Sequence, residues 1–99
     1  MLALRPNCEC CDKDLLPEST DAMICSFECT FCIACVNGIL QNPCPNCGGE
    51  LMRRPVRPTD KRIACPASTD RIYRPMHGER LEKHAALVKR YAGIAPSQR

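Results

Sequence analysis

Apolar positions along the chain fall into short runs broken by turn residues, with one longer helical stretch near the end. Residues 22–25 (AMIC) and 30–32 (TFC) read as two short strands around a turn. Ile33, Val36, Ile39 and Leu40 recur at helical spacing, which predicts a short helix after Cys35 with one apolar face. Together with Leu15, Leu16, Phe31 and Leu51, that face is the expected core, because a stripe at helical period marks a buried surface. Farther along, Pro55 and Pro58 in RRPVRPTDK favour an extended segment, and Pro66 to Pro75 is rich in turn residues. A helix is predicted over 79–92, opened by Gly78 and closed by Gly93, with Leu81, Ala85, Val88 and Ala92 in one stripe and Glu79 placed to pair with Lys83.

This pattern alone cannot fold the chain. With 99 residues, four aromatics and no Trp, little apolar material is available for a core, so a covalent or metal staple is required. Ten cysteines supply it, as a disulfide framework or as metal ligands. The start MLALRPNCEC has neither an apolar export region nor a small-residue cleavage site, and no run is long enough to span a bilayer. A cytoplasmic location with no membrane contact is therefore expected, and reduced thiols favour metal.

Spacing is more specific than context. The order is Cys8-x2-Cys11, thirteen residues, Cys25-x3-Cys29-x2-Cys32-x2-Cys35, eight residues, then Cys44-x2-Cys47. Thiolates separated by two residues can turn toward one ion, and two such pairs complete a tetrahedral zinc site. Among the first three cysteines, Cys10 is the expected spare. Cys8 and Cys11 have the two-residue gap, whereas the adjacent Cys10 and Cys11 point their side chains apart.

Four ligand pairs in this rhythm, with ECTFCIACVNGIL followed by CPNC, resemble the RING family of zinc modules. The resemblance implies a RING-like, treble-clef α+β fold with two zinc ions in a cross-brace. Cys8, Cys11, Cys32 and Cys35 would hold one ion, and Cys25, Cys29, Cys44 and Cys47 the other. Cys29 stands where that family usually has His, a change that keeps zinc binding and makes both sites all-thiolate. The family's conjugating-enzyme surface has an aliphatic residue just before the second cysteine and often a basic one just after the last. Here those positions are Cys10 and Gly48, which weighs against ubiquitin-ligase-like activity. No nucleophile, metalloprotease or phosphate-loop motif is present, so a non-enzymatic role is expected. RPNCECCDKDL, ICSFECTFC and CPNCGGEL also resemble a family of small bacterial cysteine-rich proteins catalogued as a domain of unknown function.

Charge divides the chain. Residues 1–52, the expected two-zinc module, carry net −5, whereas residues 53–99 carry net +8. The latter comprise an extended Pro/Arg-rich segment (53–75) and a basic helical extension (76–99). Eight bound thiolates and two zinc ions would bring the module to about −9 and the chain from +3 to about −1. The basic cluster Arg53, Arg54, Arg57, Lys61 and Arg62 then has an acidic partner within its own chain. The favoured role is a structural zinc-binding scaffold or protein-interaction module, with a second copy bound through the C-terminal helix as one option for the partner. Zinc-dependent nucleic-acid binding, a ubiquitin-ligase-like RING protein and a thiol redox switch centred on Cys10 are the alternatives. Cys65 is expected to be a free, partly buried thiol, and His77 and His84 to be surface or packing residues.

Overall fold

Three short strands form an antiparallel sheet in a computed structural model that describes residues 1–99. Strands β1 (Ala22–Ile24) and β2 (Thr30–Cys32) make a hairpin with Met23 opposite Phe31, and β3 (Met52–Arg53) pairs with the other side of β1. The order is β2-β1-β3. All of β2 is buried, so it forms the spine of the molecule, and the hairpin turn reverses at Glu28, which adopts a left-handed φ of 67°.

Helix α1 (Ile33–Cys35) follows β2 without a loop and continues as a π-helical turn, Val36–Leu40. Cys35, Val36 and Leu40 face inward, while Ile33 and Ile39, expected in the core, are exposed. The requirement that Cys35 face inward rolls the helix, and the wider π turn keeps Leu40 inside as Ile39 swings out. Leu16 is likewise outside, 62% exposed, whereas its neighbour Leu15 is buried. The core is therefore Leu15, Phe31, Val36, Leu40 and Leu51 with buried cysteines, joined by Ala22 and Met76.

Residues 53–75 are not uniformly extended. β3 enters this segment, and a six-residue helix α2 (Thr59–Ala64) follows Pro58, whose fixed φ and missing N–H suit a helix start. Arg54 is the largest fully buried side chain, 1% exposed. Its Nη1 donates to Arg5 O (3.0 Å) and its Nη2 to Leu16 O (3.0 Å), fastening the N-terminal segment to the sheet. Burial, with nearby Arg57 adding to it, lowers the Arg54 pKa. Arg57 donates to Cys65 O and Leu2 O, and Arg62 to Arg57 O. Three of the five clustered cations thus bind backbone of their own chain.

The C-terminal region docks on the cysteine-rich part. Arg71 bridges Asp12 and Asp14, Asn7 Nδ2 donates to Ile72 O (2.8 Å), and the Arg74 N–H donates to Glu9 O (2.7 Å). Helix α3 (Glu79–Tyr91) begins after Gly78 at φ 59°, ends before Gly93 at φ 75°, and carries the Glu79–Lys83 pair at 3.0 Å. The docked face differs from the expected stripe. Leu81, Ala85 and Ala92 are exposed, and the helix instead presents Arg80, His84, Leu87 and Tyr91. His84, 3% exposed, explains the choice: its Nε2 hydrogen-bonds Leu40 O at 2.8 Å, closing the carbonyl end of the π turn. Thirteen residues are marginal as an isolated helix, so a peptide of residues 76–99 should show little helicity by circular dichroism in water. Strong helicity at low concentration would mean that docking does not sustain it. No helix is long and apolar enough to cross a membrane.

Candidate metal centres

Two C-x2-C turns share one backbone design. In the first, the Cys8 N–H donates to Lys13 O (2.9 Å) and the Asp12 N–H to Cys8 O (2.9 Å). In the second, the Cys44 N–H donates to Gly49 O (2.9 Å) and the Gly48 N–H to Cys44 O (2.8 Å). The offsets are identical. Each turn closes on a residue in the left-handed region, Asp12 at φ 64° and Gly48 at φ 76°, residue types that tolerate that conformation. Cys8 and Cys44 are buried, and Cys11 and Cys47, the second cysteine of each turn, are exposed.

Strand and helix ends complete the groups. Cys32 closes β2 and Cys35 closes the first turn of α1, and their Sγ atoms lie with those of Cys8 and Cys11 all within 4.8 Å of one another. Cys11 Sγ and Cys32 Sγ are 3.7 Å apart. A tetrahedron with Zn–S bonds of about 2.3 Å has edges of about 3.8 Å, so this donor set fits one ion with little movement. Cys25, at the start of the hairpin turn, meets Cys44 and Cys47 within the same limit. These are two candidate metal sites, of four and three cysteines, interleaved along the chain.

Cys29 lies outside the three-cysteine group, with its thiol near Cys25 and the Asn46 side chain. Cys10 is buried beside Cys35 but is not among the four converging thiols. Cys65 is half-buried and belongs to neither group, and His77 is exposed.

Electrostatics show what an ion would compensate. Burial pushes the Cys8 thiol up to about 11 and raises Cys35 and Cys44 as well. Cys29 is raised by burial, against an opposing hydrogen bond from Asn46. At Cys32 burial also acts upward, but the Cys35 N–H and the thiols of Cys35, Cys11 and Cys8 outweigh it, and the pKa falls. Main-chain donors already point at sulfur elsewhere: the Phe27 N–H at Cys25 (3.3 Å) and the Gly49 N–H at Cys47 (3.4 Å). Near neutral pH the raised thiols hold their protons without metal, and a metal ligand must be thiolate. Zinc binding should therefore release protons, and apparent affinity should weaken as pH falls. Calorimetry in buffers of different ionisation enthalpy should show proton release at pH 7; its absence would contradict these thiol environments.

Two residues around the sites escaped sequence reasoning. Glu9 and Asn46 sit inside the C-x2-C turns and look like spacers, yet Glu9 is 3% exposed and accepts the Thr30 N–H (2.9 Å) and Asn46 Nδ2 (3.2 Å). No period or spacing marks such a pair, because the contact joins turns 37 residues apart.

Comparison with known proteins places the chain in a family without naming a role. An uncharacterized protein of Rhizobium meliloti (strain 1021) is 64% identical over 75 residues, covering 76% of this chain and 89% of that protein. No solved structure matches the chain. The family described as "Protein of unknown function (DUF1272)" matches residues 1–57, the segment that holds both cysteine groups. By that match and that relative, the chain belongs to the DUF1272 family.

Proposed function

We propose that the chain is a RING-like, treble-clef module that binds two structural zinc ions in a cross-brace and serves as a protein-interaction scaffold. Cys8, Cys11, Cys32 and Cys35 hold the first ion, and Cys25, Cys29, Cys44 and Cys47 the second, with Cys29 moving from its contact with Cys25 into the open corner. The observation that carries the reading is the interleaving. Thiols from the first C-x2-C turn converge with those at the end of β2 and in α1, across an intervening cysteine that belongs to the other group. An ion with four thiolates has no position left for water, so its role is to hold the fold.

Support for a scaffold rather than an enzyme comes from the surface. At Gly48, a Cβ would lie 3.2 Å from the Tyr91 ring, so α3 covers the place where a ubiquitin-ligase-like RING presents a basic side chain. Cys10 is buried, leaving nothing aliphatic there for a conjugating enzyme. Engagement of Arg54, Arg57 and Arg71 by their own chain favours a protein partner over nucleic acid. A reducing, cytoplasmic setting suits ten unpaired thiols. Zinc K-edge absorption on the purified protein tests the donor set: four sulfur neighbours per ion at about 2.3 Å are expected, and nitrogen or oxygen in the first shell would refute the all-thiolate assignment.

A further inference from the structure

Asn46, between Cys44 and Cys47, joins three parts of the molecule. Its Nδ2 donates to Glu9 Oε1 in the first C-x2-C turn, and its Oδ1 accepts from Arg80 Nη2 (3.1 Å) at the start of α3. Glu9 is buried, takes part in none of the four ion pairs of the chain, and is anchored to β2 through the Thr30 N–H. Helix α3 continues along the same turn. Pro45 lines a cleft with Arg80, His84 and Leu87, Tyr91 packs on Gly48, and Arg99 Nη1 donates to Gly48 O (3.1 Å) with its guanidinium 5.5 Å above the Tyr91 ring. All three non-cysteine positions of Pro45–Gly48 thus meet α3 or the turn that follows it. The four-cysteine site meets a different part of the tail, through Asn7 to Ile72, Asp12 to Arg71 and Glu9 to Arg74.

We propose that α3 is the outer shell of the Cys25–Cys44–Cys47 site, so that docking of the C-terminal helix and occupancy of that site are thermodynamically linked, and the helix is a metal-responsive latch. This inference rests on the zinc reading above. The physical basis is reciprocal. An ion fixes the Cys44–Cys47 turn in the shape that Arg80 and Tyr91 grip, and their grip holds the turn in the shape the ion needs. Emptying this site frees α3, which at thirteen residues cannot stay helical alone. The four-cysteine site keeps its own tethers, so the two sites respond differently.

The test uses the full-length zinc-loaded chain, a chromophoric chelator and hydrogen exchange followed by mass spectrometry. In the double variant Arg80→Ala/Tyr91→Ala, one of the two ions should be lost to chelator about tenfold more readily than in wild type, with the other unchanged. The unchanged ion also reports that the variant is folded. Tyr91→Phe, which keeps the ring over Gly48, should behave as wild type. In wild type, amides of residues 79–91 should lose protection when the ion of the Cys25–Cys44–Cys47 site leaves, while residues 30–36 stay protected. Two ions held equally well by wild type and the double variant, or α3 amides still protected after the ion of the Cys25–Cys44–Cys47 site has gone, would overturn the latch while leaving the zinc reading intact. Fewer than two ions on wild type would overturn both.

Discussion

A strong chelator that removes metal is expected to unfold residues 8–51 and, with them, the docked tail. The core has one buried aromatic, Phe31, and about half of its members are cysteines, so apolar burial alone cannot carry the fold. Structural zinc contributes on the order of 10 kcal/mol of apparent free energy per ion in small zinc peptides, comparable with the whole stability of an ordinary domain. Without metal, Cys8 and Cys35 in one group and Cys44 in the other keep their protons in desolvated surroundings and offer little cohesion in return. Far-ultraviolet circular dichroism and limited proteolysis should both report the collapse, reversed by stoichiometric zinc. Unchanged spectra after verified metal removal would show that the apolar core is self-sufficient.

The second large effect contrasts two phenylalanines of one hairpin. Phe31 is fully buried in β2, whereas Phe27, in the turn, is 73% exposed. Phe31→Ala should cost about 3–5 kcal/mol through lost burial and a residual cavity. Phe27→Ala should stay within about 0.5 kcal/mol, as for surface positions free of special contacts. Denaturant titration of both zinc-loaded variants measures the difference. Similar midpoints would mean that metal, not packing, positions β2.

The contrast also marks what the sequence reveals. Strand pattern and C-x2-C spacing are local, so the β1–β2 hairpin and the turn after Cys32 are legible from residue order, whereas the pairing of Cys8 and Cys11 with Cys32 and Cys35 is implied by the resemblance to RING modules. The start of α3 and its Glu79–Lys83 pair are legible for the same reason. What escapes is long-range. Ile33 and Ile39 carry the right period and Leu16 is apolar, yet all three lie outside, and in α1 the inward-facing Cys35 sets a roll that turns Ile33 and Ile39 to solvent. Arg54 reads as one more tail cation, yet two carbonyls from residues 5 and 16 bury it. The docked stripe of α3 is chosen by the Leu40 carbonyl, the Asn46 amide and the bare backbone at Gly48, none of which appears in a hydrophobic period.

Counting zinc by native mass spectrometry across cysteine variants tests the central claim most directly, because each cysteine has an assigned place. Wild type and Cys10→Ser should each carry two ions. Cys8→Ser should weaken or lose the ion shared with Cys11, Cys32 and Cys35, and Cys44→Ser the other. One ion in Cys10→Ser together with two in Cys8→Ser would contradict the ligand set and the interleaved register of the two sites.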